Sequence, residues 1–208
     1  MAPLASAART RRTQAERRET TRAALLTAAR ALFAEHGFAG TGREQIAERA
    51  GVTRGALYHH FTSKEELFRE VVEALDAETV DHLLAAARTS DIPAEQIRRG
   101  CHAYLDACLD PAFRRVALLE APAVLGLERC REISARHCLG LLRLGLSTPG
   151  IPVPDGVSTE FLAHLLLGAL NETAMAVAAA PDPGVARAEA APAVDLLVDR
   201  LFGAGQPS

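Results

Sequence analysis

Tryptophan is absent from the 208-residue chain, and phenylalanine and tyrosine together supply only 4% of it. A cavity in such a chain is walled mainly by aliphatic groups, and it favours a lipophilic small molecule over a hydrophilic ion. Cysteine is scarce too: Cys101, Cys108, Cys130 and Cys138 share no short paired spacing, which argues against a disulfide scaffold. Cys101-His102 and His137-Cys138 set metal-ligand residue types side by side, but no spacing matches a zinc motif, so core packing is expected of them. No apolar run of signal-peptide type follows the N-terminal methionine, and no segment is expected to reach transmembrane length without interruption. The expectation is a cytoplasmic protein with reduced thiols and no membrane partner.

Strand signals are missing as well. Ala, Leu, Arg and Glu dominate almost everywhere, and no alternating run of β-branched residues ends in a hairpin turn. The expected fold class is therefore all-α, with about nine helices. No Gly-x-Ser-x-Gly elbow, phosphate loop, dinucleotide fingerprint or His-Glu-x-x-His gathers the available His, Cys and acidic side chains into a reactive group. Neither an enzyme, a cofactor nor a metal is expected.

What the chain does have is an uneven charge. Residues 1–60 carry ten Arg and five Glu, net +5, whereas the remaining 148 carry thirteen Lys or Arg against twenty-one Asp or Glu, net −8. A basic head on an acidic body suits phosphate contacts in one region and limits indiscriminate sticking elsewhere. Arg9, Arg11 and Arg12 lie in a basic arm over residues 1–13, read either as a minor-groove arm or as a solvated tail.

Caps and breakers divide the rest. Thr13 to Glu16 is a capping box opening a first helix whose stop signal is Gly37. A short second helix follows Thr41 or Gly42 and ends at Gly51, and a third runs from after Thr53 to near Phe61. Ser63 to Glu66 is a second capping box, opening a long fourth helix with Leu67, Phe68, Val71, Val72 and Leu75 inside. Pro93, Pro111 and Pro122 each sit where a first helical turn can begin, with Asp110 as an N-cap. Loops are expected over residues 147–156 and 181–184, separated by an apolar helix over about residues 158–180, with a last helix to about Phe202. Residues 14–74 form one expected domain and residues 75–208 another.

The link Ala50-Gly51-Val52-Thr53 between the second and third helices is the tight, glycine-containing turn of a helix-turn-helix. With Val52, Leu57 and Phe61 inward, Arg54, Gly55, Tyr58 and His59 share the outer face, where Arg54 can pair with a guanine edge and Tyr58 can donate to a phosphate. Taken with Leu32-Phe33, Gly37-Phe38, Ile46-Ala47, Leu57 to Phe61 and Lys64 to Leu67, this segment resembles the TetR family of transcriptional repressors, most strongly from Arg22 to Phe68. The resemblance implies a homodimer on a palindromic double-stranded DNA operator. It also implies that Thr53, Arg54, Gly55, Ala56, Tyr58 and His59 lie in or beside the major groove, that Lys64 grips a phosphate, and that Thr41 and Arg43 touch the backbone.

For the body, the resemblance implies effector binding and dimerisation through the last two helices, and Phe161, Leu165, Leu166 and Leu170 with Leu197 and Leu201 suit that seam. Tyr104, Cys108, Leu118, Leu125, His137 and Asn171 are the candidate effector contacts. Glu120 is another polar residue on an otherwise apolar stretch that can orient an effector. The competing reading, a helical interaction protein that no longer binds DNA, is opposed by the joint presence of Arg54, Tyr58, His59 and Lys64.

Overall fold

The computed structural model describes residues 13–153 and 155–202; the Arg9, Arg11 and Arg12 arm lies outside the described residues. Those residues form nine helices and no strand: α1 (Gln14–Gly40), α2 (Arg43–Arg49), α3 (Arg54–His60), α4 (Lys64–Ala87), α5 (Pro93–Ala107), α6 (residues 113–125), α7 (residues 127–146), α8 (Thr159–Ala179) and α9 (Pro183–Phe202). The all-α expectation therefore holds among the described residues.

Local chemistry accounts for the helix ends. At α1, Thr13 Oγ1 accepts the Glu16 N–H while the Glu16 carboxylate accepts the Thr13 N–H, the reciprocal box expected there. Gly37 breaks the helical path with φ +73°, after which one further turn carries the chain to Gly40. Gly42, not Thr41, caps α2, and its N–H is taken by the Gln45 side chain. Gly51 at φ +66° closes α2: its N–H bonds to Glu48 and that of Val52 to Ala47, a Schellman turn that only glycine enters without strain. Thr53 then caps α3 through the Ala56 N–H.

One expectation needs correction here. Ser63 accepts the Glu66 N–H, but the Glu66 carboxylate does not complete the box; it takes both the N–H and the hydroxyl of Thr62, two donors in place of one. Pro122 falls in the first turn of the α-helical segment Ala121–Leu125, as expected. The chain runs through it from a π-helical stretch, Phe113–Glu120, whose wide turns accommodate the ring, with the Ala121 N–H reaching back five residues to Val116. Asp110 caps this helix as expected, accepting the Phe113 N–H at 2.7 Å.

The head is α1 to α3 with the first half of α4, packed around Leu25, Phe33, Ile46, Leu57, Phe61, Leu67 and Phe68. Phe33 and Phe38 each meet the Phe68 ring at 5.1 Å, edge to face. The body is α5 to α9 around the second half of α4, which runs unbroken through the expected boundary at residues 74 and 75. Arg98 ties α5 to α9 by ion pairs with Asp195 and Asp199.

Helix α8 revises another expectation. It is long and apolar enough, by length and composition alone, to cross a membrane, yet it is a core helix here: Leu162, Leu166, Leu170, Ala174 and Val177 pack into the body. Only 44% of its apolar window is buried, however. Leu166 and Leu170 are 2% and 6% exposed, so they belong to the protomer core and not to the expected seam; Phe161 and Leu165, each 71% exposed, remain outside it. Leu197 and Leu201 are half-buried.

Candidate nucleic-acid interface and ligand chamber

Helix α3 is held from beneath by Leu57 and from its end by Phe61, 1% and 0% exposed, which leaves its other side to solvent. Arg54, Gly55, Tyr58 and His59 are all exposed there, with Ala56 half-buried between them. The Arg54 side chain is extended into solvent, its nearest carboxylate being Glu44 at 3.9 Å. Gly55 keeps the face flat, since a Cβ there would meet only Thr53 Oγ1 at 4.0 Å. Arg43 from α2 stacks its guanidinium over the Tyr58 ring at 4.2 Å and donates to the Thr62 carbonyl at 3.2 Å. That cation–π contact fixes the Tyr58 ring and brings a second positive charge to the same face.

Two candidates sit differently from expectation. Thr41 is 1% exposed, its hydroxyl donating to the Leu32 and Gly37 carbonyls, so its side chain seals the end of α1 and cannot reach DNA. Lys64 reaches back to the same place: Nζ donates to the Phe38 carbonyl at 2.8 Å and the Thr41 carbonyl at 3.1 Å, and lies 4.2 Å from the Phe38 ring centre. Two of its three N–H groups are thus spent on the fold. Thr53 is exposed but commits its hydroxyl to the α3 cap.

The end of α1 is also where the body grips the head. Glu120 from α6 accepts the Phe38 N–H at 2.6 Å and an Arg115 N–H at 3.0 Å, while Arg115 donates onward to the Glu35 carbonyl at 2.9 Å. Glu120 therefore does not orient an effector. The unmet N–H that it takes exists because Gly37 leaves the helical path, and a Cβ on Gly37 would run into the Glu120 and Arg115 side chains. Glu120→Ala is expected to cost about 2 kcal/mol, since it strands both donors. A fall in melting temperature with faster hydrogen exchange at the Phe38 amide would check this; an unchanged amide would count against the contact.

Between α4, α5, α6, α7 and α8 the body forms a chamber of about 440 Å³ that opens to solvent past Leu127, Arg131, His164, Glu172 and Met175. Its walls are largely apolar, with Val72, Phe113, Leu118, Ile133, Leu139 and Met175 among them. Of the candidate effector contacts, Tyr104, Leu118 and Asn171 line it, and the Tyr104 hydroxyl donates to Asn171 Oδ1 at 2.6 Å. Cys108, Leu125 and His137 do not line it: Cys108 is fully buried against the Tyr104 carbonyl, and Leu125 and His137 are half-buried elsewhere. Tyr104 and Leu167 also face a second cavity of about 190 Å³ beside α5. Burial pushes the Cys101 and Cys138 thiols up to about 12 and Cys108 to about 11, so these sulfurs stay protonated and unreactive near neutral pH.

The polar group that the sequence reading missed is Asp76. It is 7% exposed on the inner side of α4, it lines the chamber, and its Oδ2 has no hydrogen-bond partner. Burial pushes its carboxyl up to about 6, opposed by the charge of His137. A signal was present in the spacing: Val72, Asp76, Thr79 and Leu83 fall on one buried stripe of α4, so an acid occupies a core position.

Two family models match the chain. Residues 25–71 match bacterial regulatory proteins of the tetR family, and residues 94–201, about half of the chain, match the tetracyclin repressor-like C-terminal domain. A crystal structure of a TetR-family transcriptional regulator from Pectobacterium atrosepticum is 35% identical, with a TM-score of 0.79, over 94% of this chain and 100% of that one. The chain belongs to the TetR family. Among curated relatives, the HTH-type transcriptional regulator TtgR of Pseudomonas putida is 47% identical over 81 residues, 39% of this chain and 38% of its own length. The matched part thus spans well under half of that relative. FadR from Bacillus subtilis, solved in complex with stearoyl-CoA, shares the fold at 18% identity, with a TM-score of 0.70 over 88% of this chain and 99% of that one. In this TetR-family chain the head carries the exposed face of α3 and the body carries the chamber.

Proposed function

We propose that this protein is a ligand-responsive, sequence-specific DNA-binding regulator, a repressor that leaves a palindromic operator when a small lipophilic molecule enters the body. The observation that carries this reading is the free face of α3, where Arg54, Gly55, Tyr58 and His59 stand exposed on a helix whose opposite side is locked into the head. Arg54 supplies a two-pronged donor for a guanine edge, Tyr58 a hydroxyl for a phosphate, and Gly55 and Ala56 allow close approach. Arg43 holds the Tyr58 ring and adds positive charge, and the third N–H of Lys64 remains for a phosphate.

One seven-residue helix discriminates modestly, so two copies are required. The exposed arc of helix α8 carries Phe161 and Leu165, which with Val185 and Leu196 of α9 stand uncovered as large apolar side chains. Exposed apolar side chains grouped in this way favour a second cover, and pairing α8 and α9 with their copies provides one. The two reading helices then address half-sites about one helical turn apart.

The link between ligand and DNA runs through two helices. Helix α4 walls the chamber with Val72 and Asp76 and begins at Lys64 under the head, while α6 walls it with Phe113 and Leu118 and grips α1 through Arg115 and Glu120. A ligand that fits the chamber best when these helices are displaced shifts the spacing of the two heads and releases DNA. Selection of bound sequences from random DNA tests the reading. Enrichment of a two-fold symmetric motif with half-sites about ten base pairs apart is expected; recovery of asymmetric or unrelated sequences would overturn it.

A further inference from the structure

We propose that the chamber takes a lipophilic amine in its protonated form, with the ammonium group donating to the Oδ2 of Asp76 and the hydrocarbon body lying against the α6 and α8 walls. This inference rests on reading the chamber as the effector site, and it adds the charge of the ligand to that reading.

The first ground is geometric. Asp76 sits on the wall of a largely apolar chamber of about 440 Å³, 7% exposed, and among the described residues its Oδ2 is the buried side-chain polar atom that lacks a hydrogen-bond partner. A buried acceptor without a partner costs free energy that a bound donor recovers, so the vacancy favours ligands that carry one. The neighbouring hydroxyl does not fill it, because the single Tyr104 proton goes to Asn171.

The second ground is charge. The carboxyl is raised only to about 6, so at pH 7.5 it is still mostly ionised and presents a negative charge in a desolvated place. The basic side chains on the lining, Arg131 and His164, are both exposed, and no ion pair joins either of them to Asp76; His137, half-buried off the lining, is the basic group whose charge acts on the carboxylate, and it too forms no ion pair with it. Glu172 adds a second carboxylate to the lining. An ammonium group turns an unfavourable buried charge into a pair. A carboxylate ligand of the same shape meets repulsion, and an alcohol supplies a donor without the charge.

Three probes on one rigid cage separate these cases: 1-adamantanemethylamine, 1-adamantanemethanol and 1-adamantanecarboxylate, titrated calorimetrically into the full-length protein at pH 7.5. The amine is expected to bind at least about tenfold more tightly than the alcohol, and the carboxylate more weakly than either. In Asp76→Asn, shape is kept and charge lost, and the amine preference is expected to collapse to within about threefold of the alcohol. Equal binding of amine and alcohol to the unmodified protein overturns the charge assignment while leaving the chamber as an effector site. That comparison needs no variant. Retention of the full amine preference in Asp76→Asn also overturns it. Failure of all three probes to bind overturns the chamber reading itself, and the charge assignment with it.

Discussion

Aspartate at both Phe161 and Leu165 is expected to turn the protein into a monomer and to weaken operator binding about a thousandfold. Each side chain is 71% exposed on the face of α8 that the protomer core leaves uncovered. Full burial of a Phe or Leu contributes about 1.5–3 kcal/mol, and two-fold symmetry uses each side chain twice. Aspartate removes that contribution and sets like charges opposite one another across a desolvated seam. The protomer core should survive, because it rests on Leu162, Leu166 and Leu170, which point the other way. Light scattering after size exclusion is expected to report the mass of one chain with the helical circular dichroism retained. A dimer that persists in the double variant contradicts the seam.

Asp76→Asn is expected to stabilise the ligand-free protein at pH 7.5 by about 2 kcal/mol. The carboxyl is raised from 3.8 to about 6 by burial, so the folded state holds its proton over a pH range in which the unfolded chain has lost it. Folding is therefore disfavoured by ionisation: the penalty is absent below about pH 4, grows as pH rises toward 6, and is fully present above it. The shift corresponds to about 3 kcal/mol, and the unmet hydrogen bonds of the new amide reduce the gain. Urea unfolding of both proteins at pH 7.5 and pH 4.5 checks the sign, with the advantage of the variant shrinking at the lower pH. An advantage that is constant with pH would show that charge is not its cause. Such a residue, costly to stability and facing a cavity, is what a binding site leaves in a core.

Much of this architecture was readable before any coordinate. Thr13, Thr53, Ser63 and Asp110 announce helix starts by chemistry that needs only neighbours in sequence, and Gly37 and Gly51 announce breaks because their φ values exclude other residues. The exposed face of α3 was legible for the same reason: with Leu57 and Phe61 inward, Arg54, Tyr58 and His59 have one side left. Long-range partners were not legible. Thr41 reads as a cap, yet its hydroxyl is claimed by carbonyls four and nine residues back, and Lys64 is claimed by the same helix end. Nor does an apolar helix reveal which arc faces its own core. Leu165 and Leu166 are adjacent and chemically identical, and only the packing of the neighbouring helices leaves one exposed and buries the other.

The central claim is that the exposed face of α3 reads bases. Fluorescence anisotropy with the selected palindrome and with a scrambled duplex of equal length, at one salt concentration, tests it in Arg54→Ala and Tyr58→Phe. Loss of a guanine contact in both half-sites should weaken Arg54→Ala on the palindrome by about a hundredfold or more, with little change on the scrambled duplex. Tyr58→Phe, which loses a phosphate contact, should weaken both duplexes by a similar factor. Unchanged discrimination between palindrome and scramble in Arg54→Ala would contradict the assignment of α3 as the reading helix.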